Sequence, residues 1–158
     1  MLNAILNIEK RNFDICFEMF CNMVSEYPLE FWESRVGGFI SWQQFVHVFC
    51  GIHYWIRNDN QQYSDPFSDL KIYSELENDP IDKLAKNDVV DFMKSVSDRI
   101  EKYFDEKNDK WLVESSSAGI QYTNLDVINM QIRHIQYHLG CFECFLRANN
   151  VKTQKWID

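Results

Sequence analysis

"TNLDVINMQIRHIQYHLGCFECFLR", residues 123–147, decides how the chain is read. It reads as one helix that opens at Thr123 or Asn124 and reaches about Asn149. Inside it, "RHIQYHLGCFECF" (133–145) sets His134 and His138 four residues apart. Four residues advance a helix by about 400°, so the two rings stand about 40° apart around the axis and about 6 Å apart along it. Two imidazoles so placed, in a helix otherwise suited to a core, can converge on one ion.

Three further segments carry the same periodicity. The first runs from about Leu2 to Glu26, with Leu2, Ile5, Leu6, Phe13, Phe17, Phe20 and Val24 at three- and four-residue steps, and ends before Pro28 and Gly37-Gly38. The second opens at Ser41, where "SWQQ" reads as a Ser-x-x-Gln capping box, and continues to about Arg57. It is apolar almost all round, which predicts a central helix. The third, capped by Asn87, runs to about Lys107 with Val89, Val90, Phe92, Met93, Val96, Ile100 and Phe104 inward. Between the second and third lies a polar stretch (57–86), too long for a tight turn, with Phe67, Leu70 and Tyr73 able to pin part of it down.

No alternation argues for strands, and no internal repeat is visible. The fold class expected is all-α: a four-helix bundle forming a single domain over 1–158. The long connection can recross the bundle, so helices two and three can run parallel, in up-down-down-up order.

Composition bounds the function. The formal net charge is −8 and no basic patch interleaves with aromatics, so nucleic-acid binding has no electrostatic footprint. The opening "MLNAILNIEKRNF" has neither a basic n-region nor an apolar core with a cleavage site, and is not read as a signal peptide. No run is long enough to span a bilayer. Five cysteines, an odd number, fall in apolar helical context and suit reduced thiols. The expected location is cytoplasmic.

Two ligands hold a transition metal poorly, so a third is needed. The other histidines, His47 and His53, both lie on the second helix, six residues apart. Six residues turn a helix by about 600°, leaving the two about 120° apart, so at most one readily faces the ion. The alternative is that each ring is a hydrogen-bonded core or surface residue.

The stretch 123–147 resembles the last helix of the DinB/YfiT-like family in its HxxxH followed by small and apolar residues. "SWQQFVHVFCGIHYW" (41–55) is similar to that family's second helix, where a single His follows a polar start and aromatics come about two turns later. The resemblance implies an up-down-down-up bundle with a divalent metal, often nickel or zinc, held by His47, His134 and His138. His53 then points elsewhere. One departure is Cys141-Phe142, where many relatives carry polar residues; Cys141 either borders the metal or fills apolar space. Cys141-x-x-Cys144 has no second pair to make a zinc or redox motif.

Gln131, one turn before His134, either hydrogen-bonds a ligand ring or is a solvated position. Trp42, Tyr54 and Trp55 are pocket or core. Glu143 and Asp126 are carboxylates with nothing to place them at the site. A metal on three neutral imidazoles keeps its charge and open positions, and can acidify a water or a thiol. The resemblance implies a metal-dependent thiol S-transferase or hydrolase acting on a small molecule such as a low-molecular-weight thiol, with links to stress responses and a homodimer as a further expectation. The alternative is a non-catalytic bundle that binds a ligand or partner protein, its metal structural or absent.

Overall fold

The computed structural model of the chain describes residues 3–58 and 62–157. It is predominantly helical, with four long helices: α1 (Ala4–Glu26), α2 (Ser41–Trp55), α3 (Lys86–Phe104) and α4 (Asn124–Ala148). Leu2 lies outside the described residues, and Ile5, expected inward, is exposed. The rest of the predicted α1 stripe is buried. α2 buries ten of its fifteen residues, which makes it the central helix.

Two features differ from the sequence reading. The first is a pair of antiparallel hairpins, one before α2 and one before α4: β1 (Arg35–Val36) with β2 (Phe39–Ile40), and β3 (Ser115–Ser116) with β4 (Gly119–Thr123). Val36 pairs with Phe39, so Gly37 and Gly38 form a two-residue turn, with φ of +59° and +99°. A two-residue turn of this kind needs positive φ at both central positions, which glycine adopts without strain. Gly37-Gly38 are therefore a turn signal as well as a helix breaker.

The second is an internal repeat. α1, hairpin and α2 form one unit; α3, hairpin and α4 form another. In the first, Tyr27 Oη meets Ser41 Oγ at 2.9 Å, and the Ser41 amide donates to the Ser34 carbonyl at 2.8 Å. In the second, Tyr103 Oη meets Asn124 Oδ1 at 3.5 Å, and the Asn124 amide donates to the Glu114 carbonyl at 3.0 Å. Tyrosine is shared, but Ser41 answers to Asn124 and Ser34 to Glu114, and the sequence does not display the repeat.

Two helix starts also differ. Ser41 and Gln44 form no capping box, because the Ser34 and Trp32 carbonyls already accept the amides of Ser41 and Trp42. Asn87 lies inside α3, whose first turn is closed by the Ala85 amide donating to the Asp88 carboxylate at 2.9 Å. α4 is capped as expected at Thr123, with Asp126 completing a reciprocal box.

The core is aromatic. Phe45 of α2 stacks on Phe142 of α4 with centroids 4.1 Å apart, while Trp55 meets Tyr122, just before α4, at 5.7 Å. Phe20 of α1 packs against Phe45, Phe49 and Phe142, Phe49 against Phe92 of α3, and Phe13 against Phe104. The connection between α2 and α3 folds back over α2. Ile72 and Leu84 are its buried anchors, Phe67 packs on Phe92, and Leu70 is exposed.

Candidate metal centre

Of the four histidines, three meet between α2 and α4. His47, His134 and His138 offer ring nitrogens that all lie within 4.8 Å of one another, and together they form a group that can hold a metal ion. The ring centroids are 4.8, 5.0 and 5.1 Å apart, and His134 Nε2 stands 2.9 Å from His47 Nε2. His138 is buried and the other two are half-buried.

The tautomers follow from the neighbours. Gln44 Nε2 donates to the carbonyls of Val36 at 2.6 Å and Phe39 at 3.3 Å. Carbonyls only accept, so the Gln44 amide is fixed with Oε1 pointing the other way, 3.1 Å from His138 Nδ1. His138 must then carry its proton on Nδ1. His47 Nδ1 faces the Ser74 carbonyl at 2.8 Å and by the same logic is protonated there. Both rings present a bare Nε2 lone pair to the cluster, the form a metal requires.

The His47–His134 pair already has the spacing of two ligands on one divalent ion. Two nitrogens about 2.1 Å from one ion and at right angles stand about 3.0 Å apart, close to the 2.9 Å between His134 and His47. In the metal-free protein the same separation is an ordinary hydrogen bond, donated by His134 to the bare His47 nitrogen.

These placements have local causes. Gln43 and Gln44, adjacent at the start of α2, hold opposite walls. Gln44 ties the first hairpin to His138. Gln43 Nε2 reaches the carbonyls of Ile72, Tyr73 and Asn78 at 2.8–3.0 Å, pinning the connection that carries Ser74. Tyr73 and Leu76 take φ of 49° and 63° on either side, a left-handed backbone uncommon for such residues. Gly51 lies against His134: a Cβ there would come within 3.1 Å of the ring's Cε1.

Burial shapes the electrostatics. Desolvation, reinforced by the neighbouring imidazoles, lowers His134 to about 4 and His138 to about 3. Both rings are neutral at pH 7 and available to an ion. Cys21 and Cys50 are pushed up to about 12, chiefly by burial, so neither supplies a thiolate.

The remaining candidates fall away from the cluster. His53 packs against Tyr63 and Phe92, lowered to about 4 mainly by burial. Cys141 packs half-buried against the core, outside the histidine group, and Cys144 is exposed; all five cysteines are free. Glu143 pairs with Arg147 at 2.9 Å, and Asp126 is spent on the Thr123 cap, whose hydrogen bonds hold its carboxyl below the usual range. Trp42 is core, while Tyr54 and Trp55 form a half-buried shelf with Tyr63 and Tyr122. Gln131 is buried, and its Oε1 has no hydrogen-bond partner among the described residues. Sequence reasoning missed Gln43, Gln44 and Ser74. Only Gln44 left a trace, in a motif that pointed to another use.

No protein-family model, curated protein or solved structure matches the chain. Among the described residues, no helix is long and apolar enough to cross a membrane.

Proposed function

We propose that this is a metal-dependent bundle of the DinB-like type, in which His47, His134 and His138 hold one divalent ion of the nickel or zinc class that acts on a small molecule. The observation that carries the reading is the pair of fixed tautomers: Gln44 and Ser74 each occupy the outer nitrogen of a ring and leave Nε2 facing the other ligands. A packing histidine would also need a partner for its buried N–H; what packing alone does not call for is three rings gathered at one point. Ring pairings support an up-down-down-up order. Phe45 with Phe142 and Trp55 with Tyr122 set α2 against α4, and Phe49 with Phe92 and Asn58 with the Lys102 carbonyl set α2 along α3.

When bound, such an ion supplies a positive charge that acidifies a water or thiol at neutral pH. The chain's own contribution is to keep His134 and His138 neutral by burial and to aim all three rings. Among the described residues the group holds three histidines and no carboxylate, an arrangement that suits a reaction whose proton leaves from the metal ligand itself, such as thiol S-transfer. A homodimer and a role in stress responses rest on the resemblance alone.

One observation favours the alternative of a structural ion in a binding bundle. The clefts along α1 and α4, of about 340 and 290 Å³, are lined by residues such as Cys16, Met19, Gln136 and Trp156, and none of the three histidines borders them.

The test is metal content by mass spectrometry after reconstitution with nickel or zinc, with His47→Ala, His53→Ala and His138→Ala alongside. One equivalent is expected in the native chain and in His53→Ala, and loss in the other two. No retained metal overturns the reading. Cobalt-loaded protein then separates the alternatives: a small thiol should shift the ligand-field spectrum of an open site and leave that of a closed staple unchanged.

A further inference from the structure

Gln131 stands three residues before His134 on α4, on the same face, and is 2% exposed. Its Oε1 is buried with no partner among the described residues, which is unfavourable for a polar atom. Gly51 is the neighbour of both side chains: from the point its Cβ would occupy, His134 Nδ1 is 3.3 Å and Gln131 Oε1 is 3.7 Å away. An unpaired acceptor and an imidazole nitrogen therefore both lie against the space beside Gly51, with no hydrogen bond between them.

The tautomer chain explains why. In the metal-free protein His47 Nε2 is bare, because its proton sits on Nδ1 against Ser74. His134 must then donate from its own Nε2 across the 2.9 Å contact, which leaves Nδ1 without a proton. Gln131 Oε1 and His134 Nδ1 are two acceptors beside the same glycine, and two acceptors cannot pair. An ion displaces the proton from His134 Nε2. The neutral ring then carries its one proton on Nδ1, and the unpaired oxygen becomes its acceptor.

We infer that Gln131 is the positioning residue of His134, its Oε1 accepting the Nδ1 proton once an ion occupies the three-histidine site. This rests on the metal reading above and adds a partner for the third ligand, so that Ser74, Gln44 and Gln131 would each hold one ring. Through this bond Gln131 would couple ion binding to a tautomer exchange on His134.

The experiment uses the full chain with zinc, which is diamagnetic. Long-range proton–nitrogen spectra of the imidazoles should show His134 as the Nε2–H form without zinc and the Nδ1–H form with it. Zinc affinity by chelator competition should fall roughly tenfold or more in Gln131→Leu, the usual effect of losing a partner to a ligand ring. Gln131→Glu, which keeps an acceptor, should retain native affinity or exceed it. In a His134→Ala background Gln131→Leu should change nothing further. Equal zinc affinity in the native chain and Gln131→Leu, or a His134 tautomer that zinc leaves unchanged, overturns the role of Gln131 alone. No zinc binding by the native chain overturns the site itself, and the Gln131 role with it.

Discussion

Gln44 Oε1 accepts the Nδ1 proton of His138 across 3.1 Å, while the same amide gives its hydrogens to the carbonyls of Val36 and Phe39. One side chain thus sets a ligand's protonation state and fastens a hairpin, and the two roles separate by substitution. Gln44→Glu keeps an acceptor for His138 but sets a carboxylate against two carbonyls. It should retain metal while losing at least about 1–3 kcal/mol of stability. Gln44→Met should lose stability and roughly ten- to a hundredfold in affinity. Denaturant titrations of the metal-free proteins, beside chelator competition, would read both.

Gly51→Ala should act in opposite directions on fold and site. In a helix interior alanine is favoured over glycine by about 0.5–1 kcal/mol. Its methyl, however, would stand 3.1 Å from His134 Cε1 and press the ring out of place. The expected result is a metal-free melting temperature no lower than native, with weaker zinc binding. Unchanged affinity would mean that His134 has room the geometry does not show.

The Gly37-Gly38 turn should be felt at the ion. A Cβ at Gly38 meets no atom within 4 Å, so the cost of a valine there begins with the backbone: φ of +99° strains any L side chain by about 1–2 kcal/mol. A shifted hairpin moves the carbonyls of Val36 and Phe39, then Gln44, then His138. Gly38→Val should therefore weaken metal binding although it touches no ligand. Gly38→Asn, better tolerated at positive φ, should do so less.

Acid should destabilise the metal-free protein at a higher pH than it protonates His134 and His138 in the folded chain. Folding lowers His134 to about 4 and His138 to about 3, mainly through burial, and His53 to about 4 likewise. In the unfolded chain each titrates near 6.5. Between those values the unfolded state binds more protons than the folded one, so stability rises with pH and is lost as pH falls from about 6.5 toward 4. Melting temperatures between pH 7.5 and 4 should show the decline. His53→Gln should remove part of it and leave the pH of metal release where it was.

The helices and the meeting of the paired histidines with one from the second helix were legible because they are written in side chains; that this one is His47 and not His53 came from the resemblance. Phe13, Phe17 and Phe20 repeat at helical spacing, and four histidines confined to two helices leave few ways to meet. The surroundings of the site are written elsewhere. Ser74 contributes a carbonyl, which every residue owns, and it is aimed by the backbone at Tyr73 and Leu76. Gln44 sat in a capping motif with the right letters, but the Ser34 and Trp32 carbonyls had already satisfied the helix start and freed it to reach His138. The hairpins have strands of two to five residues, too short for alternation to register; only Gly37-Gly38 marked one of them.

The three ligands are divided between the two copies of the repeat, His47 in the first and His134 with His138 in the second. Neither copy holds enough of them to keep an ion by itself. An ion held there would be a rivet through a seam: it would sense whether the halves are docked, and any motion that parts α2 from α4 would open its coordination sphere. Substrate access and the cohesion of the two halves would then be one and the same degree of freedom.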